Sequence, residues 1–192
     1  MAEPLTEPRI TIRPATVHDT AEILELVNAL ATDQLMLPRS PASVIENVRD
    51  FVVAEVDGQF GGCAALSIIW SDIGEVRSIA VPETYRSLGL GRRLAEYLLE
   101  EAESLGLARV MAFTYVPGFF EKLGFQVVEH ASLPHKVFND CLNCPKFHQC
   151  DEIAVLKELG PLDEDGRPPE RGPLSLPQPG TPLPRIQRPQ AP

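Results

Sequence analysis

A strand, a glycine-containing loop and a helix follow one another between residues 75 and 105, and this succession constrains the fold more than any other feature. EVRSIAV (75–81) is typical of a strand, RSLGLG (86–91) of a tight loop, and 91–105 carries leucines at helical spacing. Glycines let the backbone approach a ligand closely, and the start of a helix presents partly positive N–H groups. The sequence therefore predicts a cradle for a diphosphate where this strand meets this helix.

Strand and helix patterns alternate through the first 160 residues, in the order β-α-α-β-β-β-α-β-α-β-β. This order predicts an α/β fold, in which a mixed sheet carries helices on both faces. Asp19 is the predicted N-cap of the first helix. The remaining predicted helices cover 41–50, 91–105 and 116–123, and the predicted strands cover 9–13, 51–56, 59–69, 75–81, 109–114, 125–128 and 152–159.

Composition changes sharply near Gly160. Residues 161–192 hold ten of the 19 prolines and contain no Phe, Tyr, Trp or Val. Such a segment buries too little apolar surface to offset the entropy lost on ordering. We therefore predict one domain over residues 1–160 and a proline-rich disordered tail over 161–192. A ligand for a proline-recognition domain is the alternative interpretation of the tail.

The formal net charge of the 192-residue chain is -10. Nucleic acids and anionic membrane surfaces select clustered Lys and Arg, so the charge argues against both as partners. No apolar run approaches the roughly 20 residues of a spanning helix, and residues 1–13 lack the apolar core of a signal peptide. We expect a cytoplasmic protein with reduced cysteines.

Two motifs resemble one family. R-x-x-G-x-G at 86–91, following a strand that ends in Ala-Val, is similar to the acetyl-CoA signature of the GNAT N-acetyltransferase superfamily. FFEKLGF at 119–125 resembles the family's Y-E-K-L-G-F block, which follows its fifth strand. The resemblance covers residues 9–159. It implies the GNAT fold, an acyltransferase activity and acetyl-CoA as cosubstrate.

A narrower resemblance concerns the acceptor. The segments LPRS (37–40), IENVRDF (45–51) and WSDIGEVRSIAV (70–81) are similar to the acetyltransferase domain of bacterial N-acetylglutamate synthases. These enzymes transfer acetyl to the α-amine of glutamate in arginine biosynthesis. The longer synthases add an amino-acid-kinase domain that senses arginine, for which this chain has no room. The resemblance thus implies a small-molecule amino-acid substrate.

The resemblance to the GNAT superfamily assigns the acetyl-CoA site. Main-chain groups near the end of the strand pair with the pantetheine arm, N–H groups of the loop hold the diphosphate, and aromatic side chains line the arm. The residues so assigned are Ile79, Ala80, Val81, Arg86, Ser87, Leu88, Gly89, Leu90, Gly91, Arg92, Phe119 and Phe120. Phe120 stands where the family carries the tyrosine that protonates the leaving thiolate. Phenylalanine cannot do so, which leaves protonation by solvent or departure as a thiolate near a helix terminus. Tyr115 is an outside candidate for the donor, with packing as its alternative role.

Glu75 occupies the position that holds the general base in related histone acetyltransferases. We predict that it accepts the ammonium proton of the acceptor, through a water. The alternative is an ion pair with Arg77, its neighbour on the same face of the strand.

Cations and hydroxyls are the candidate acceptor ligands. An arginine fork matches a carboxylate bidentately, which favours Arg77 and Arg39, with Lys136 as a third cation. Surface salt bridges are the alternative for all three. Hydrogen bonds to the substrate are predicted for Ser40, Ser78 and Thr114, with turn or strand packing as the alternative for the serines.

The loop CLNCPKFHQC (141–150) concentrates three of the four cysteines. Three thiolates and one imidazole satisfy a tetrahedral zinc, so a structural zinc on Cys141, Cys144, His148 and Cys150 is one hypothesis. An iron–sulfur site and a loop of reduced thiols are the alternatives. Cys63 is a predicted small core residue.

Several functional alternatives stay open at this level. The acceptor could be glutamine, another amino acid or a small amine instead of glutamate. A catalytically silent module that senses acetyl-CoA is a second class of function, and a redox or metal switch in the cysteine loop is a third. GNAT domains often pair through their last strands, so the resemblance allows a homodimer.

Overall fold

The computed structural model describes residues 7–33, 35–133 and 149–160. Over these residues the chain forms seven strands and four α-helices. The strands are β1 (Ile10–Pro14), β2 (Phe51–Val56), β3 (Gln59–Ile68), β4 (Ile73–Ala80), β5 (Arg109–Thr114), β6 (Gln126–Val127) and β7 (Ile153–Glu158). The helices are α1 (Thr20–Thr32), α2 (Pro41–Glu46), α3 (Leu90–Ser104) and α4 (Pro117–Glu121).

The strands lie in one sheet in the order β1-β2-β3-β4-β5-β7-β6. Every neighbouring pair is antiparallel except β4 and β5, which are parallel and joined through α3. Each strand lies within two residues of its predicted position at either end. The predicted mixed sheet is confirmed.

Helices cover both faces of the sheet, as the element order predicts. The α3 face buries a cluster that includes Val52, Ala64, Leu66, Val76, Leu94 and Leu98. The α1 face buries a second cluster that includes Ile23, Val27, Val44, Phe51, Val53 and Cys63. Cys63 is a core residue, as predicted, and burial raises the pKa of its thiol to about 12.

The helix predicted over 41–50 is interrupted. It divides into α2 and a 3-10 turn at Val48–Asp50, with Asn47 between them. The side-chain Nδ2 of Asn47 donates to the carbonyl of Ser43 at 2.8 Å. A side chain that bonds local backbone competes with helical hydrogen bonds, which explains the break.

Asp19 stands at the N-cap position of α1, as predicted, but its side chain does not cap the helix. Asp19 has helical backbone angles and makes no side-chain capping bond to α1. Its buried carboxylate accepts instead from both Nη atoms of Arg13, at 2.8 and 2.9 Å, and from the N–H and hydroxyl of Thr16. Asp19 therefore ties the start of α1 to β1.

Asp19→Asn should lower the free energy of unfolding by about 1–3 kcal/mol at pH 7, because the buried carboxylate loses its charge while solvent screens its partly exposed partner Arg13. Hydrogen bonds from Arg13 and Thr16 hold the pKa of Asp19 well below its usual range. This stability is therefore present above the unfolded pKa of about 3.9 and is lost as the pH falls through the lower folded pKa.

Urea unfolding between pH 7 and pH 2 measures this difference, and the gap between wild type and variant should narrow below about pH 4. Asp57→Asn is the control, because Asp57 is an exposed turn residue. We expect it to change stability by less than about 0.5 kcal/mol. Equal effects of both substitutions would contradict the role of Asp19.

A bulge in β4 opens the sheet beside β5. Cys63 pairs with Ala80 and Ala65 pairs with Arg77, so β4 carries one extra residue between these pairs. Ser78 lies there with a φ of 54°. Within the described residues β4 pairs with β5 at three positions, ending at Glu75, whereas β5 pairs with β7 as far as Thr114. The two parallel strands therefore separate after Glu75.

None of the helices within the described ranges is both long and apolar enough to cross a membrane.

Candidate active site

The start of α3 lies just beyond the end of β4. A 3-10 turn at Glu83–Leu88 connects them, and Gly89 precedes α3 with a φ of 69°, a conformation that favours glycine. The bond from the Arg93 N–H to the Gly89 carbonyl, at 3.2 Å, closes the first turn. The N–H groups of Leu90, Gly91 and Arg92 precede that bond, so they are available to an anion.

Gly91 lies where β4, α3 and α4 meet. A Cβ built on Gly91 would lie 3.8 Å from Ile79 Cγ2 and 3.8 Å from Phe119 Cε2. The end of β4 and the starts of α3 and α4 therefore adjoin one another, and we call the surface between them the groove. Its glycine floor, helix terminus and apolar walls suit a diphosphate with a long arm, which is the shape of acetyl-CoA.

The other predicted acetyl-CoA residues differ in exposure. Ser87 and Gly89 are exposed, and Val81 and Leu88 are half-buried. Arg86 is exposed, and Arg92 forms an ion pair with Glu96, Nε to Oε1, at 2.7 Å. Leu90 and Ala80 are fully buried, so their side chains pack in the core.

Phe119 and Phe120 have separate roles. Their rings meet edge to face with centroids 5.1 Å apart, and Phe120 also meets Phe125 at 5.2 Å. Phe120 is 6% exposed and belongs to the core under α3, whereas Phe119 is half-buried beside Gly91. Phe120 is thus a packing residue, and Phe119 supplies the groove wall.

Glu75 lies at the last paired position before β4 and β5 separate. Its neighbours in the sheet are Ser67 on β3 and Met111 on β5. It is 2% exposed. A buried carboxylate beside an opening between strands can accept a proton from a group held there.

Arg77 shares the face of Glu75, which is the face that α1 covers. Its Nη2 lies 3.8 Å from Asp50 Oδ2, and Ser67 Oγ donates to the same oxygen at 2.6 Å. The alternative interpretation of the sequence pairs Arg77 with Glu75, and the structure places Asp50 beside Arg77. Asp50 therefore holds Arg77 from the β2 side.

Arg39 reaches the same face from the segment between α1 and α2. Its Nε donates to Ser78 Oγ at 3.2 Å, and its Nη1 donates to Ser43 Oγ at 3.4 Å. The structure thus brings two predicted acceptor arginines and Ser78 together around the β4 bulge.

Ser40 and Thr114 make local bonds. Ser40 Oγ accepts from the Ser43 N–H at 3.1 Å and caps α2. Thr114 Oγ1 accepts from the Val116 N–H at 3.0 Å, in the turn from β5 to α4. Tyr115, the outside candidate for the proton donor, donates its hydroxyl to Asp151 at 2.9 Å.

Lys136, Cys141, Cys144 and His148 lie outside the described residues. Cys150 is described and is an exposed free cysteine. Among the described residues no three His, Cys, Asp or Glu side chains come together as metal ligands. The zinc hypothesis stays a prediction.

Three further residues of this face did not emerge from the sequence. They are Asn28 on α1, Asp50 before β2, and Ser67 near the end of β3. In the sequence each is only a polar residue beside apolar positions. Its role depends on a contact with a residue at least 11 positions away, and such a contact has no local pattern.

A splayed pair of parallel strands, a helix start beside the opening and a buried carboxylate are the features expected of an acyl-CoA-dependent acyltransferase. Residues 22–125 match the acetyltransferase (GNAT) family. The chain belongs to this family, and the predicted GNAT fold and enzyme class are confirmed.

Particular relatives narrow the comparison. The chain is 33% identical to an amino-acid acetyltransferase of Mycobacterium tuberculosis over 143 residues, which cover 73% of this chain and 82% of the relative. It is 38% identical to the uncharacterized N-acetyltransferase CT2212 of Chlorobaculum tepidum over 148 residues, which cover 77% of this chain and 96% of the relative.

A solved structure extends the likeness to the fold. N-acetylglutamate synthase from Neisseria gonorrhoeae, complexed with coenzyme A and N-acetyl-glutamate, superposes with a TM-score of 0.72 at 26% identity. The match covers 81% of this chain and 36% of the synthase. This chain therefore spans about a third of that enzyme.

Proposed function

We propose that this enzyme transfers acetyl from acetyl-CoA to the α-amine of an amino acid, with L-glutamate as the favoured acceptor. One observation carries the proposal: the buried Glu75 shares a sheet face with the guanidinium groups of Arg39 and Arg77. An α-amino acid presents an ammonium and a carboxylate, and glutamate adds a second carboxylate. The names of the Mycobacterium and Neisseria relatives support the same acceptor class.

The residues divide the reaction between them. Arg39 and Arg77 bind the acceptor carboxylates, and Glu75 takes the ammonium proton through a water. Acetyl-CoA supplies the thioester, and the N–H groups at the start of α3 hold its diphosphate. The neutral amine forms a bond to the acetyl carbon as the bond to sulfur breaks, and the nitrogen then loses its extra proton to solvent to give the amide. Phe120 has no proton to give, so the thiolate is protonated by solvent.

Thiol release from acetyl-CoA, scanned over the twenty amino acids and a few polyamines, tests the proposal. We expect glutamate to give the highest kcat/KM and mass spectrometry to show an α-N-acetyl product. A different amino acid as the best acceptor would refute glutamate and retain the mechanism. Turnover of polyamines alone would refute the amino-acid class. Tight acetyl-CoA binding without any acceptor would favour the sensing module.

Arg39→Lys is expected to raise the KM for glutamate about tenfold, because lysine keeps the charge and loses the planar fork. The KM for acetyl-CoA should change less than twofold, since Arg39 lies on the acceptor face. Steady-state kinetics with each substrate varied in turn measures both. Arg49→Lys, on an exposed residue, is the matched control. A glutamate KM equal to that of the control would contradict the role of Arg39.

A further inference from the structure

We infer that Asn28 is a positioning residue for acceptor binding, because it fixes the backbone of Arg39. This inference rests on the proposed function, in which Arg39 binds an acceptor carboxylate. Asn28 itself bonds the main chain of Arg39 and is not assigned a contact with substrate.

The contact between the two residues is double. Asn28 Nδ2 donates to the Arg39 carbonyl at 3.0 Å, and the Arg39 N–H donates to Asn28 Oδ1 at 2.9 Å. One side-chain amide thus satisfies both backbone groups of one residue, as a neighbouring strand would. The pair of bonds also sets which way the amide of Asn28 points.

Asn28 is carried by a well-anchored helix. Ile23 and Val27 of α1 are both 0% exposed and pack against the sheet. Residues 35–40, by contrast, form neither helix nor strand. The two bonds therefore transfer the rigidity of α1 to Arg39, at the end of that segment.

The Arg39 side chain continues the connection to β4. Its Nε bonds Ser78, whose φ of 54° places it in the β4 bulge. Asn28, Arg39 and Ser78 thus form a chain of contacts from α1 to the point where the sheet opens. Without Asn28 the acceptor would have to order this segment on binding, which weakens affinity without slowing the chemical step.

Kinetics of Asn28→Ala and Asn28→Asp test the inference. Asn28→Asp keeps the size of the side chain and turns the donor to the Arg39 carbonyl into an acceptor. We expect Asn28→Asp to raise the KM for glutamate about tenfold, as for the loss of one hydrogen bond, and Asn28→Ala, which loses both bonds, to raise it at least as much. The kcat and the KM for acetyl-CoA should stay within twofold of wild type.

Thr20→Ala is the matched control, because the Thr20 hydroxyl lies on the same helix and also bonds a backbone carbonyl, that of Val17, at the far end of α1 from Asn28. Amide hydrogen exchange gives a readout independent of turnover. The Arg39 N–H should exchange at least about tenfold faster in Asn28→Ala, which removes its acceptor, and at the wild-type rate in the control.

Three outcomes would overturn the inference. One is an unchanged glutamate KM in an active enzyme, which leaves the proposed function intact. Another is an equal rise in the KM of both substrates, which indicates general distortion. The last is a wild-type chain that acetylates no amino acid, which overturns the proposed function and the inference together.

Discussion

Glu75→Gln is expected to lower kcat for acetyl transfer by about 100- to 1,000-fold, which is the usual contribution of a general base. Glutamine has nearly the same shape as glutamate, and its amide cannot take up the ammonium proton. Glu75 is 2% exposed and lies at a paired position of β4. A substitution that keeps its size and shape should therefore leave the sheet intact. The variant should therefore fold as the wild type does and have a lower kcat.

Calorimetric titration with acetyl-CoA should give a Kd within twofold of wild type, since the groove at Gly91 is untouched. Glu55→Gln is the matched control, because Glu55 is a strand glutamate that pairs with Arg13. We expect the control to keep wild-type kcat. A Glu75→Gln variant that retains more than about a third of kcat would favour an ion-pairing role for Glu75 over catalysis.

Gly91→Glu is expected to weaken acetyl-CoA binding by about 100-fold, because like charges brought together cost several kcal/mol. A Cβ at this position makes only ordinary contacts with Ile79 and Phe119, at 3.8 Å each. A carboxylate in the first turn of a helix is also favourable to the helix. The variant should therefore fold and lose its cosubstrate.

Gly91→Lys separates crowding from charge, because it adds a side chain of similar length and opposite sign. We expect a loss of about tenfold for this variant, from crowding alone. Ser104→Glu, an exposed position at the other end of α3, controls for the added charge and should bind as wild type does. Equal losses for Gly91→Glu and Gly91→Lys would contradict a diphosphate at the start of α3.

The sequence predicts the glycine loop because the segments that form it are contiguous. Strand, loop and helix follow one another within about 30 residues, and their geometry depends on local preferences such as the positive φ at Gly89. The acceptor face is different. Ser40 and Thr114, which the sequence predicts to bind substrate, make local bonds, because short polar side chains readily bond nearby backbone.

By itself the sequence determined the order of strands and helices, the covering of both sheet faces and the glycine cradle, since hydrophobic periodicity and turn chemistry are local properties. Only the tertiary structure decided which polar groups meet. Arg39 reaches Ser78 across 39 positions, and Asp50 reaches Ser67 across 17. Such contacts depend on how α1 packs over the sheet and on where the bulge separates β4 from β5, and neither is encoded in any one segment.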